Sequence, residues 1–206
     1  MTNIKKHFAI TMLTSVGVVL VNFVTGVLVA RTLNPSGRGE IASIGTWSQI
    51  LGWACSFGFS ESLVYLQSSR PDASKRLVGT SLASVLLFGT IGVIVSELVI
   101  PLAFKHQSRD TVHLAKMYMV TIYLGVLGNM LNGLVKGHQN FNFANFLRLF
   151  QPALYVVGIL VFWFFHFLTP ATTLTASAIS GGVSAFLTLG SLLKSNCIGL
   201  PSLSRF

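Results

Sequence analysis

Apolar residues arrive in runs of membrane-spanning length, separated by short polar gaps rich in Gly, Pro, Lys and Arg. A helix crosses a bilayer with about 20 apolar residues, and the runs predict spans over about 8–33, 41–66, 77–104, 117–135, 149–168 and 171–193. The first gap lies within Leu28–Ile41. It holds Asn34, Pro35, Ser36, Gly37 and Gly39, with Arg31, Arg38 and Glu40 as its charges. Pro and Gly at that density break a helix, so a tight polar connection is expected there. The second run ends in Ser68–Arg76, the third, with Pro101 near its end, in Lys105–Lys116, and the fourth at Lys136-Gly137-His138. Asn140, Asn142 and Asn145 then alternate with Phe141, Phe143 and Phe146, which predicts an amphipathic connector near the interface. The last run, Leu149–Leu193, has no formal charge and is too long for one span, and Thr169-Pro170 divides it. Helices satisfy their own backbone hydrogen bonds in hydrocarbon. The expected fold is an all-α membrane protein, six transmembrane helices forming one bundle over 8–193, with short polar ends at 1–7 and 194–206.

Composition agrees with this layout. The 206 residues are 52% hydrophobic and 9% charged, with a mean hydropathy of +0.71. Soluble domains carry roughly 25% charged residues, so this surface belongs in lipid. The net charge of +9 would suit nucleic acid only if it were gathered on one face. Instead the basic residues stand singly or in pairs between apolar runs, the placement that orients a membrane protein. Nucleic acid is therefore not an expected partner; membrane lipid is. With the N-terminus inside, Lys5, Lys6, Arg70, Lys75, Arg76, Lys136, Arg148, Lys194 and Arg205 are cytoplasmic, and Arg31, Arg38, Lys105, Arg109 and Lys116 are external. That bias favours a multi-pass protein with both termini cytoplasmic. The stretch after Lys6 is too long for a signal-peptide core and Val29-Ala30-Arg31 is a poor cleavage site, so the first span is retained. Cys55 and Cys197 have no Cys or His at ligand spacing, so no metal, disulfide framework or cofactor is expected.

Polar residues recur at helical spacing inside several spans: Thr11, Ser15, Asn22 and Thr25; Gln49, Trp53, Ser56 and Ser60, with Glu61 beside them; Gly125, Asn129, Asn132 and Lys136; Thr173, Ser177, Ser180, Ser184 and Ser191. Such stripes turn away from lipid. In the sixth span small side chains suit close helix packing. Asn22, Asn129 and Asn132 carry amides that need partners or water, so packing and a water-filled cavity both remain open for them. Glu97 lies close to Pro101 and fits the headgroup region. Glu61 lies near the inner end of its span, where ion pairing, proton coupling and an interfacial position are all compatible with its chemistry. The five acids are scattered and the five histidines lie mostly at span ends. No paired carboxylates or base beside a nucleophile emerge, so no catalytic residue is assigned and an enzyme is not expected.

The first seventy residues resemble bacterial oligosaccharide flippases, Wzx-like polysaccharide biosynthesis proteins of the multidrug/oligosaccharidyl-lipid/polysaccharide exporter superfamily. The likeness rests on Ala30-Arg31-Thr32-Leu33-Asn34-Pro35, then Gly39, then Phe57-Gly58-Phe59-Ser60. Asn34 stands where the family has Gly, and Asn is the next residue most tolerant of positive φ. The later spans match in layout. Pro201–Phe206 resembles the linker that leads into a seventh span. The resemblance thus implies the N-terminal six-span half of a two-bundle transporter.

It further implies a bacterial inner-membrane carrier that flips a polyprenyl-pyrophosphate-linked oligosaccharide outward by alternating access. Arg31, Lys136 and Arg148 are then candidate cations for the pyrophosphate. Asn22, Gln49, Glu61, Asn129 and Asn132 are candidate cavity residues, and Ala30, Asn34, Pro35, Gly37, Gly39 and Gly58 shape the motif. The lipid II flippase branch has an Arg within its first helix; here no basic residue lies between Lys6 and Arg31. A second six-span bundle, or a second copy of the chain, is the expected partner. The alternatives are half of a drug/cation antiporter coupled through Glu61 and a non-transporting structural subunit or remnant.

Overall fold

A computed structural model describes residues 2–69, 74–138 and 140–194. Among these residues the fold is all helical: α1 (Thr2–Thr32), α2 (Pro35–Ser56), α3 (Phe59–Ser69), α4 (Ser74–Ala103), α5 (Arg109–Met119), α6 (Ile122–Gly137), α7 (Phe141–Phe164) and α8 (Pro170–Lys194). Five segments are long and apolar enough to cross a membrane: Ala9–Thr32, Arg76–Ala103, Arg109–Gly137, Asn142–Phe164 and Pro170–Leu192. The remaining expected span, 41–66, is occupied by α2 and α3 with a break at Phe57-Gly58. The expected tail at 194–206 lies, beyond Lys194, outside the described residues, as do Arg70, Cys197 and Arg205.

Three local features differ from the sequence expectation. The polar gap after α1 is shorter than its composition suggests, since Gly37 and Gly39 are already helical in α2. Pro35 opens that helix, where its missing N–H is not needed and its fixed φ suits the first turn. Asn34 does not take up a positive φ; among the described residues that conformation belongs to Phe57, Gly58 and His166. The Asn/Phe segment is not a separate connector. Asn140 caps α7, its side chain accepting from the Phe143 N–H at 3.2 Å, and the following Asn and Phe residues form the first turns of one helix. Finally, the fourth span continues back through α5 to Arg109, where Ser108 caps it by accepting from the Thr111 N–H at 3.1 Å.

The chain forms two compact units, Met1–Ser43 with Asn140–Ser184, and Ile44–Gln139 with Ala185–Phe206. In the first, α1 and α7 run parallel. Asn145 donates to Thr11 Oγ1 at 3.0 Å. Farther along, Gly17 faces Leu149, and Val29, Leu33 and Ile159 form a buried core with Leu28, Ile41, Tyr155 and Leu168. Within this unit α8 returns antiparallel to α7, bringing Gly158 to Ala176 and Gly181 to Gln151. Thr169 begins that return: its hydroxyl accepts from the Thr172 N–H at 3.2 Å, and Pro170 follows as the first helical residue.

In the second unit α4 lies antiparallel to α5 and α6. Tyr123 packs over Gly89, Ile122 over Gly92, and Lys116 pairs with Glu97 at 2.6 Å. The Tyr123 hydroxyl meets Thr90 Oγ1 at 2.8 Å. Thr90 already donates to the Leu86 carbonyl at 2.6 Å, so Tyr123 is the donor.

Candidate functional site

The broken span is where the second unit concentrates its polar chemistry. α2 ends at Ser56, and the chain passes through Phe57 (φ 41) and Gly58 (φ 68) before α3 begins. Left-handed backbone suits glycine and is costly for phenylalanine. The break frees backbone groups that a hydrocarbon environment cannot hydrate, and local bonds take some of them up. The Phe57 N–H donates to Ala54 O at 3.3 Å, and the Glu61 and Ser62 N–H groups donate to Gly58 O at 3.1 and 3.2 Å.

α6 supplies the rest. Asn129 Nδ2 donates to Ser56 Oγ at 3.4 Å, while Ser56 donates to Gly52 O at 2.7 Å. Beyond the break, Ser60 Oγ donates to the Asn129 carbonyl at 2.8 Å. One asparagine therefore engages both sides of the interruption, with its side chain before it and its main chain after it. One turn further, α3 and α6 come very close. A Cβ on Gly133 would lie 2.6 Å from Ser60 O, and one on Gly137 would lie 2.5 Å from Gln67 Cβ and 3.1 Å from Val64 O. Gly133 and Gly137 form a GxxxG face, the pattern that lets helix backbones approach in a membrane.

These contacts share one register. Ser48 meets Thr121 at 3.3 Å and Ser56 meets Asn129, each pair 73 residues apart. Ser60 with Gly133 and Val64 with Gly137 keep the same separation. A constant separation means that α2–α3 and α5–α6 run parallel. Small or polar residues at every fourth position face each other along the seam.

The candidate residues divide between the two units. In the first, Asn22 is exposed on α1 beside exposed Val19, Leu20 and Phe23, Arg31 is exposed in the last turn of α1, and Arg148 is exposed on α7. In the second, Gln49, Glu61, Asn132 and Lys136 are exposed and Asn129 is half-buried. Among these, Asn129 reaches the break with its side chain, and Glu61 meets it through its backbone N–H. Glu61 sits in the first turn of α3, where the helix dipole favours a carboxylate. Arg31 and Lys136 occupy last turns, where it favours a cation. Glu97, by contrast, has Lys116 as its partner.

Sequence reasoning missed the bonds Asn145 to Thr11, Ser48 to Thr121 and Tyr123 to Thr90. The signal available was the four-residue spacing of Ser48, Gly52, Ser56 and Ser60 against Thr121, Gly125, Asn129 and Gly133. Among the described residues, no three His, Cys, Asp or Glu side chains converge as a metal site would require.

An all-helical, multi-pass membrane fold of this kind is found in transporters. The chain superimposes on a MOP superfamily transporter from Pyrococcus furiosus Vc1 (DSM3638) with a TM-score of 0.74 and 18% identity, covering 96% of this chain and 46% of that one. A MATE transporter in the straight conformation gives a TM-score of 0.74 and 19% identity, covering 96% and 47%. An outward-facing multidrug resistance MATE family transporter of the MOP superfamily gives 0.72 and 18%, covering 94% and 45%. At such identities the likeness is one of fold. The chain spans about half the length of these structures, and its length and fold fit the N-terminal half of such a transporter. No curated protein matches it. By sequence the chain belongs to the polysaccharide biosynthesis protein family, whose model matches residues 4–199.

Proposed function

We propose that this chain is half of a carrier that flips a lipid-linked oligosaccharide across the bacterial inner membrane for surface polysaccharide synthesis. The observation that carries the reading is the family match over residues 4–199. A broken span of the kind found at transporter sites supports it. The cargo would be a glycan on polyprenyl pyrophosphate, and the mechanism would be alternating access with a second six-span bundle, from another chain or a second copy. Arg31, Lys136 and Arg148 are proposed to meet the pyrophosphate, since charge-assisted bonds to phosphate are roughly twice as strong as neutral ones. Asn22, Gln49, Asn129 and Asn132 are proposed to line the glycan path, and both termini to face the cytoplasm.

The test is to delete the gene in its host and follow radiolabelled polyprenyl-linked glycan. Accumulation on the cytoplasmic leaflet, reversed by the intact gene and less well by Arg31→Ala, is expected. Unchanged glycan export would overturn the proposal. The competing reading, a drug/cation antiporter, draws on the multidrug relatives of the same fold and on Glu61 beside the helix break. Proton-dependent dye efflux that is lost in Glu61→Gln would favour it.

A further inference from the structure

In the first unit, α7 carries polar chemistry at a depth where hydrocarbon would not tolerate it. Pro152 stands inside this helix, close to the midpoint of the apolar segment Asn142–Phe164. It has no N–H, so the Arg148 carbonyl lacks the donor that an ordinary helix places four residues on. Gln151, beside the proline, is exposed, and among the described residues neither end of its amide makes a hydrogen bond. A bare amide is expensive in an apolar medium. A proline is tolerated in a spanning helix where neighbouring helices, hydroxyl side chains or water satisfy the freed carbonyl. The neighbouring helices of this unit do not. On the α1 side, Asn145 is spent on Thr11 and Leu149 packs on Gly17. On the α8 side, Gln151 Nε2 lies 3.7 Å from where a Cβ of Gly181 would stand, so the residue opposite has no side chain to offer. Ser177 and Ser180, just before it, donate back into α8, to Leu174 O at 2.8 Å and Ser177 O at 2.9 Å.

This level of α7 therefore offers the N–H donors and the oxygen of an amide together with a carbonyl oxygen at a neighbouring position. The hydroxyls of a sugar ring, each able to donate and to accept, match that mixture. An ionised phosphate only accepts, so it could use the amide N–H groups but neither oxygen. Arg148, three residues before Gln151 and so its neighbour on one helix face, is itself exposed. We infer that Gln151 and the Arg148 carbonyl freed by Pro152 form a hydroxyl-binding subsite for the cargo sugar nearest the pyrophosphate. This deepens the flippase reading and rests on it: with the pyrophosphate at the Arg148 guanidinium, the sugar joined to it falls at Gln151.

Cysteine protection on the full chain in lipid nanodiscs tests it, in a background of Cys55→Ala and Cys197→Ser. Gly181→Cys places a thiol beside Gln151, where a Cβ makes only ordinary contact. It should react with a water-soluble methanethiosulfonate, whereas Val157→Cys, on the exposed apolar side of α7, should not. Lipid-linked glycan extracted from the host membranes should slow the Gly181→Cys reaction, and sugar-free polyprenyl pyrophosphate should not. Adding Gln151→Leu, or Pro152→Ala, which returns an N–H to the Arg148 carbonyl and favours the helix, should raise the glycan concentration for half protection. The expected rise is about threefold to tenfold, the weight of one hydrogen bond. A thiol at 181 as inert as the one at 157 would overturn the inference. So would equal protection by the sugar-free carrier, or half protection that neither substitution moves. Glycan export in the deletion strain separates this from the flippase reading. Export by the wild type with an unprotected Gly181→Cys removes the subsite and keeps the carrier; protection without export keeps a glycan site and removes flipping.

Discussion

The α1–α7 pair of the first unit and the α2–α3/α5–α6 pair of the second solve the same problem in opposite ways. Both are parallel pairs in lipid. α1 and α7 are long and mostly apolar, α7 with many aromatic residues, meet through a Val29, Leu33 and Ile159 core, and are joined by the Asn145–Thr11 bond at 3.0 Å. Neither helix is broken, although Pro152 inside α7 removes one backbone donor, and the side chains between them mainly pack. In the second unit α2–α3 is interrupted at Phe57-Gly58 and α5–α6 at Val120-Thr121. Polar side chains there are recruited to the interruptions: Asn129, Ser56 and Ser60 at one, and Thr121 at the other, donating to Tyr118 O at 2.6 Å while it meets Ser48. In the α2–α3/α5–α6 pair, polar side chains gather where the backbone is interrupted, while elsewhere hydroxyls buried in whole helices, such as Thr25, Ser81 and Thr173, bond back to their own helix or the turn before it. Asn22 of α1 is exposed, whereas Asn145 of α7 reaches across to Thr11.

Substitutions at glycine sharpen this contrast most. Gly133→Ala would drive a methyl group into the Ser60 carbonyl, an approach of 2.6 Å against backbone. A loss of about 1–3 kcal/mol, typical of overpacking, is expected. In α1, Gly26→Ala meets nothing within 4 Å and should stabilise by roughly 0.5–1 kcal/mol. Unfolding in mixed micelles by sodium dodecyl sulfate reads both, and equal effects would erase the distinction between the pairs. Next in size is Gly58→Ala. A Cβ has open space there but φ is +68°, so the cost is conformational, about 1–2 kcal/mol. A neutral result would mean that the break relaxes easily.

The amides separate the units more finely. Asn145→Ala and Asn129→Ala should each cost about 0.6 kcal/mol, the mean for interhelical bonds in a membrane protein. The Asn145 change should be the larger, since its bond is 3.0 Å against 3.4 Å. The smallest effect belongs to Lys116→Met. Its pair with Glu97 is 35% and 47% exposed, and such pairs contribute about 0–1 kcal/mol, less at high salt. A large loss that resists salt would place this pair in a drier setting than its exposure indicates.

Much of the architecture was legible from the order of residues. The spacing of apolar runs announced helices of spanning length, and Thr169-Pro170 marked the turn between α7 and α8. Ala30–Pro35 and Phe57–Ser60 pointed to the family that the match over 4–199 establishes. The second motif proved to be the helix break itself, a role that its composition did not disclose. Gly37 and Gly39 were misleading in the other direction, because glycine permits a turn without requiring one, and after Pro35 the chain is already helical. Asn129 was recognised as a polar residue on a helical face, and its partners were not.

What the sequence alone determined was therefore the class of each segment: apolar length, polar stripe, cap and breaker are local properties, set by the three to four residues on either side. What only the tertiary structure decided was which stripe meets which. Ser56 and Asn129 stand 73 residues apart, and periodicity reports the face on which each lies but not the helix opposite. That choice depends on which two backbones can approach closely enough for a short polar side chain to reach across. Here the glycines at 133 and 137 permit that approach, and a single chain read from end to end does not reveal it.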